Sequence, residues 1–235
     1  MKNKLAVTKN VAALQMAYEA LAGRDSGVPG MGLVHGYTGA GKTTAITWLV
    51  NRTRGVYVRA NATWTASAML GRMMTELGAE PLHRGGAAMV EHITHNLASE
   101  QRPLFVDEAD YLVRDLKMLE TLRDIHDISG MPVVLIGMDK IDLKLKSRQQ
   151  LMRRISQWVE FLPSDEDDAR ILCDTVCEVE IAPDLLELLH REAKGSVGLM
   201  VVGLSRIEAL ARANGWTAVD ATKWADRKFF LGGRG

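Results

Sequence analysis

The chain has 235 residues, 47% apolar and 25% charged, with a formal net charge of zero, a globular composition with room for one sizeable domain and a small second one. A neutral chain has no overall attraction for polyanions, so any nucleic-acid surface has to be local. No apolar run reaches about 18 residues and no apolar core follows the lysines of MKNKLAVTKN, which predicts no signal peptide, no membrane span and a cytoplasmic location.

In chain order, Asn10 to Ala22 carries Val11, Leu14, Tyr18 and Leu21 at helical spacing. RDSGVPG breaks it, and MGLVHG (31–36) reads as a short apolar strand. Lys42 to Arg52 reads as a helix and GVYVRA (55–60) as a second strand. Helices are expected over Thr65–Leu77 and Gly86–Ser99. PLFVDE (103–108) lacks polar alternation, as a strand buried on both faces does. One long helix is expected over Ala109–Ile128, ending at Ser129-Gly130, then a buried strand PVVLIG (132–137), a basic stretch, and a short strand WVEFLP (158–163). Strands alternating with helices at this spacing predict an α/β domain with a parallel sheet.

After Pro163 only helical periodicity is read, over Ala169–Val176, Pro183–Glu192, Val197–Asn214 and Val219–Phe230, with SDEDD capping the first helix and Pro183 in a first turn. The expected organisation is an α/β domain over 1–163, a small all-helical domain over 164–230 and a disordered tail over 231–235. The two cysteines, Cys173 and Cys177, share a helical face with no second ligand pair nearby, which reads as buried, reduced thiols.

The chemistry concentrates in HGYTGAGKTT. Gly36-Tyr37-Thr38-Gly39-Ala40-Gly41-Lys42-Thr43 fits G-x-x-x-x-G-K-[ST] at every fixed position, between a predicted strand and a predicted helix. Its glycines let backbone N–H groups surround phosphate oxygens, and the helix start adds its positive dipole end. Gly36 to Thr44 are therefore the candidate nucleotide loop. Lys42 is placed for the β- and γ-phosphates of ATP, and the Thr43 hydroxyl for Mg²⁺. PLFVDE ends in two carboxylates, Asp107 for the Mg²⁺ shell and Glu108 to polarise the attacking water.

With these motifs the chain resembles the AAA+ ATPases: a phosphate-loop α/β domain followed by a helical lid. FVDEADYL, LETLRDIHDISGMPVVLIGMDKIDLKL and QQLMRRISQWVEFLPSDEDDA are similar, more narrowly, to the phage Mu transposition protein B family of transposon target-selection ATPases. The resemblance implies a DNA-dependent, oligomeric ATPase, as a ring or helical filament, that serves a transposase, in a bacterial host cytoplasm if phage- or transposon-encoded. By position it makes Arg154, with Arg153 next, the arginine finger completing a neighbour's ATP site; two surface arginines on a helix end is the plainer reading. The first sensor position falls on Met138 and Asp139, of which Asp139 is the polar candidate. The second sensor arginine has no match in GSVGLM, where Gly198 or Leu199 stands, which suits a slow ATPase; Arg206 is a substitute to consider.

Lys140 to Arg154 holds six basic residues (Lys140, Lys144, Lys146, Arg148, Arg153, Arg154) against Asp142, which reads either as a DNA surface or as a solvated face serving the subunit interface. VRANATWTAS offers Arg59 and Thr65 for phosphates, without base reading, and Trp64 for stacking or, equally, for packing. His83 and Arg84 are a weaker addition, and His126 reads as part of a helix surface. A helicase loader or replication initiator, or a signalling ATPase without DNA, remain the competing functions.

Overall fold

The computed structural model describes residues 1–80 and 85–230. His83, Arg84 and the tail 231–235 lie outside the described residues. By proximity these group into two compact units. One comprises Ala13–Gly36 and residues 46–160; the other comprises Met1–Ala12, Tyr37–Ala45 and the described residues from Phe161 onward. Helix α1 (Lys9–Ala22) and helix α2 (Lys42–Thr53) each run from one grouping into the other.

The first unit is built on a five-stranded sheet. Its strands are β1 (Met31–Gly36), β2 (Val56–Arg59), β3 (Leu104–Asp107), β4 (Val133–Ile136) and β5 (Ile155–Phe161), in the order β2-β3-β4-β1-β5. The β1–β4, β3–β4 and β2–β3 pairs are parallel. Bonds from Met31 N to Arg154 O and from Tyr37 N to Phe161 O carry β5 along β1 in the same direction. The three central strands are buried almost throughout, whereas the edge strands β2 and β5 alternate. Composition follows position: MGLVHG, LFVD and VVLI are near-continuous apolar runs because helices cover both of their faces. Around the sheet, α3 (Ala66–Glu76), α4 (Gly86–Ser99) and α5 (Leu116–Ser129) pack Met69, Met73, Ile93, Leu97, Leu122 and Ile125 into the core.

One expected helix breaks. In place of Ala109–Ile128 there is a 3₁₀ turn, Ala109–Tyr111, and then α5 from Leu116. Asp115 stops the run because its carboxylate accepts from Lys117 N at 2.9 Å as the N-cap of α5, a role in which a short acidic side chain competes with helix continuation. Gly130, at φ 67°, closes the helix. The basic stretch, left without structure by the pattern, carries two short helices, α6 (Ile141–Leu145) and α7 (Gln149–Met152).

The second unit packs α8 (Glu166–Val176), α9 (Pro183–Ala193) and α10 (Val197–Asn214) around Leu172, Leu185, Leu189, Met200, Leu204 and Ile207. Cys173 and Cys177 are buried free thiols in this core. The first residues of the chain lie along these helices: Lys2 N donates to Val176 O at 2.7 Å and Lys9 N to Asp168 Oδ1 at 2.8 Å. The C-terminal part is helical with two departures. Strand β6 (Glu180–Ile181) pairs in parallel with β7 (Ala218–Val219), and the helix expected over Val219–Phe230 shrinks to α11 (Ala221–Trp224). Beyond it the chain turns back to stack Phe229 on Trp224, centroids 5.0 Å apart, with both side chains buried. Burying two aromatic rings outweighs up to two more turns of exposed helix.

Candidate functional site

The phosphate loop leaves β1 at Gly36 and enters α2 at Lys42. Gly36, Gly39 and Gly41 have φ of 123°, 90° and 88°, a region open to glycine and strained for other residues. Such turns direct successive N–H groups to one side and form an anion nest. Lys42 Nζ donates to Tyr37 O at 2.9 Å, which folds its cation back along the loop. Thr43 and Thr44 are exposed on the first turn of α2, which carries no acid. A phosphate therefore fits this loop. The far side of the loop is closed by α10. Gly198 N donates to Gly39 O at 3.1 Å, and a Cβ on Gly39 would stand 2.5 Å from Ser196 Oγ.

The second cluster lies where β2 and β3 end. Asp107 Oδ2 accepts from Tyr57 OH at 2.6 Å, and Oδ1 accepts from Glu108 N at 2.8 Å. Glu108 is left-handed (φ 55°) and its Oε1 accepts from Arg59 Nη2 at 3.0 Å. Tyr57 and Arg59 sit two residues apart, hence on one face of β2, and each meets one of the carboxylates. Burial first, then the Asp107 bond, raises the Tyr57 phenol well above its ordinary value, so the hydroxyl is a donor at any working pH. The Glu108 carboxylate holds the Arg59 guanidinium above its already high value. The carboxylates of Asp107 and Glu108 are oxygen donors of the hard kind that Mg²⁺ takes. Because the strands are parallel, Gly36 and Asp107 end on the same edge of the sheet, with β4 between β1 and β3.

The sequence profile of the AAA domain family matches residues 25–145, just over half of the 235 residues. The chain belongs to the AAA domain family. A DNA transposition protein B of the Mu-like prophage FluMu of Haemophilus influenzae is 31% identical over 115 residues, 48% of this chain and 39% of that relative. The match thus spans about two fifths of the relative's length. Among solved structures, the ORC2 protein of Aeropyrum pernix, in ADPNP–ADP complexes, superposes with a TM-score of 0.71 at 18% identity, covering 93% of this chain and 67% of that one. The ORC1 protein of the same organism, in complex with DNA, gives 0.62 at 16%, covering 89% and 61%. At such identities the likeness shows the fold, an AAA+ phosphate-loop sheet with a helical C-terminal part.

The remaining candidates fall in several places. Arg154 lies at the start of β5, beside Met31, on the sheet edge opposite Asp107. Its guanidinium lies on Asp127, Nε to Oδ1 2.8 Å and Nη2 to Oδ2 3.0 Å, and that bond holds the Asp127 carboxyl below its ordinary value. Arg153 is exposed and shares with Arg154, Arg123 and Asp127 an open cavity of ≈ 370 Å³. Asp139 and Lys140 are exposed, Lys140 in a left-handed conformation ahead of α6. Asp110 organises this loop, accepting from Met138 N at 2.6 Å and from Lys144 Nζ at 2.8 Å, so Lys144 already has an anionic partner. Lys146 is exposed. The Thr65 hydroxyl caps α3 by accepting from Ala68 N at 3.3 Å, and Trp64 packs against the sheet core. Arg206 donates to Phe229 O at 2.9 Å and so serves the C-terminal segment.

His126 is not on a helix surface. It is 6% exposed; its Nε2 accepts from Gly30 N at 3.2 Å and its Nδ1 lies 2.8 Å from Met131 O. Burial lowers its pKa and so favours the neutral ring. The signal was available: Leu119, Leu122, Ile125, His126 and Ser129 form one stripe of α5, all buried. Tyr57 was also missed, although strand periodicity puts it on the face of Arg59.

Proposed function

We propose that this protein is a slow ATPase that binds duplex DNA without reading its sequence, assembles on it as a ring or helical filament and directs a transposase to it. Residues 1–163 act as the ATPase domain and 164–230 as the lid. The phosphate loop, Gly36 to Thr44, takes the phosphates on its N–H groups, with Lys42 adding charge. Thr43 and Asp107 hold the Mg²⁺, which when bound offsets charge on the phosphates. Glu108 accepts the proton of the attacking water. Asp139 lies in the sensor loop. Arg154 is too far from its own carboxylates to serve them: a six-residue strand is about 20 Å long. Its partner is a neighbouring subunit's nucleotide, with Arg153 beside it.

The observation that carries the DNA reading is the Arg59–Glu108 ion pair. Arg59, the last residue of β2, is 67% exposed on its side chain and leads into the candidate DNA loop, yet its partner is the residue assigned as general base. Glu108 holds Arg59 through a single bond from Nη2, and swinging the guanidinium onto a DNA phosphate breaks it. Phosphate capture therefore frees the carboxylate, and hydrolysis follows DNA engagement. Similarity to a DNA transposition protein B and a fold shared with an ORC1 protein solved with DNA support this reading. Lys140, Lys144 and Lys146 supply further weak phosphate contacts, and assembly multiplies them.

The test is ATP turnover with and without duplex DNA, in the wild type and in Arg59→Ala. The wild type is expected to accelerate on DNA, and the variant to run faster than the wild type without DNA and to gain little from it. A wild-type rate that saturating DNA leaves unchanged overturns the coupling.

A further inference from the structure

We propose that Tyr57 is a positioning residue for the metal-holding carboxylate, an inference that rests on the ATPase reading above. A carboxylate at the end of a strand turns about its last bond, and a hard cation with strict octahedral preference tolerates little of that freedom. Here both oxygens of Asp107 are tied, and to different donors. Oδ1 takes the N–H of Glu108 and Oδ2 takes the hydroxyl of Tyr57. Of about four lone-pair sites on the group, two are spent in this way, and each oxygen keeps one for a cation shell.

The two donors are not equivalent. The Glu108 N–H belongs to the next residue in the chain and comes with the backbone. The Tyr57 hydroxyl comes from the neighbouring strand, reached because β2 pairs with β3 in parallel, with Arg59 opposite Asp107 and Tyr57 opposite Phe105. The phenol thus spans a diagonal of the ladder to a group two residues further along. A phenylalanine would fill the same half-buried space. Only the oxygen meets Asp107, so the hydroxyl itself is the functional atom. Hydrogen-bond partners of metal-binding carboxylates set their orientation, and losing one typically weakens metal binding or activity about 10- to 100-fold.

The experiment compares wild type, Tyr57→Phe and Asp107→Asn by equilibrium binding of a fluorescent ATP analogue. Each is titrated with Mg²⁺ from a starting point in EDTA, and turnover is measured beside it. In Tyr57→Phe, affinity without Mg²⁺ is expected to stay at the wild-type value. The Mg²⁺ concentration at half effect is expected to rise about tenfold or more, and kcat to fall more than KM for ATP changes. In Asp107→Asn the hydroxyl has lost its charged partner, so adding Tyr57→Phe there is expected to cost little further. A Tyr57→Phe chain that responds to Mg²⁺ like the wild type overturns this inference alone and leaves Tyr57 as packing. A wild-type chain that binds no nucleotide at all overturns the ATPase reading and this inference with it.

Discussion

Gly39→Ala tests how the phosphate loop is seated. Two costs can be worked from the structure. The residue has φ 90°, and an L side chain held in such a sparsely populated region costs about 1–3 kcal/mol. In addition the new Cβ would lie 2.5 Å from Ser196 Oγ, a distance that forces one of them to move. Ser196 is 6% exposed and is the N-cap of α10, its hydroxyl accepting from Leu199 N at 3.4 Å. Turning that hydroxyl away loses a cap, about 0.5–2 kcal/mol. The expected loss in Gly39→Ala is therefore about 1.5–5 kcal/mol, together with weakened nucleotide binding if the loop yields instead of the helix. The assay is urea unfolding of a double-mutant cycle with Ser196→Ala. In that background the clash is gone, because Ser196 Cβ would stand 3.5 Å away, an ordinary contact. Gly39→Ala should then cost only the conformational part, with a coupling of about 0.5–2 kcal/mol. If Gly39→Ala costs the same with and without the serine hydroxyl, the seating of the loop against α10 is not what limits that position.

Glu108→Gln should keep ATP binding and slow turnover at least about a hundredfold, holding the protein on DNA; an unaltered rate with DNA present removes Glu108 from the mechanism. Arg154→Ala should bind ATP and not hydrolyse it, and mixing it with Lys42→Ala subunits should restore turnover where an intact Arg154 faces an intact loop. No recovery at any mixing ratio would deny action across subunits. His126 gives a pH signature. Burial lowers its folded pKa below the ordinary 6.5, so the unfolded chain binds the proton more readily and stability falls as pH drops below about 6.5. Arg24, Asp127 and Arg154 face it. Urea midpoints at pH 7.5 and 5.5 should differ less in His126→Gln than in the wild type, and an equal drop in both would place the acid sensitivity elsewhere.

The central strands were legible because a strand covered on both faces needs no polar alternation, so MGLVHG, PLFVDE and PVVLIG stand out from the chain. The phosphate loop was legible because its glycines, lysine and threonine occupy fixed positions between strand and helix. Caps were partly legible: Asp165 and Pro183 start α8 and α9 as local chemistry requires, whereas Asp115 was absorbed into a run of helix formers. What stayed hidden depends on strand order. Tyr57 and Arg59 meet Asp107 and Glu108 only because β2 lies beside β3, and no local pattern carries that adjacency. Likewise the Arg154–Asp127 pair and the β6–β7 ladder join residues 27 and 38 positions apart (154 minus 127; 218 minus 180). The early end of α11 reflects Phe229 returning to Trp224, a packing choice that outweighs helical periodicity.

If Arg154 reaches a neighbouring subunit's nucleotide, as proposed, ATP favours the assembly whose many weak phosphate contacts hold the duplex, so the central claim is that nucleotide governs binding to duplex DNA. The direct measurement is a salt titration of a fluorescent duplex with the full chain, in ATP, in ADP and without nucleotide. Tight binding is predicted in ATP alone, tolerant of sequence, with log affinity falling linearly with log salt as phosphate contacts release counterions. Equal binding in all three states would contradict nucleotide gating, and no binding in ATP even at low salt would contradict a DNA role altogether.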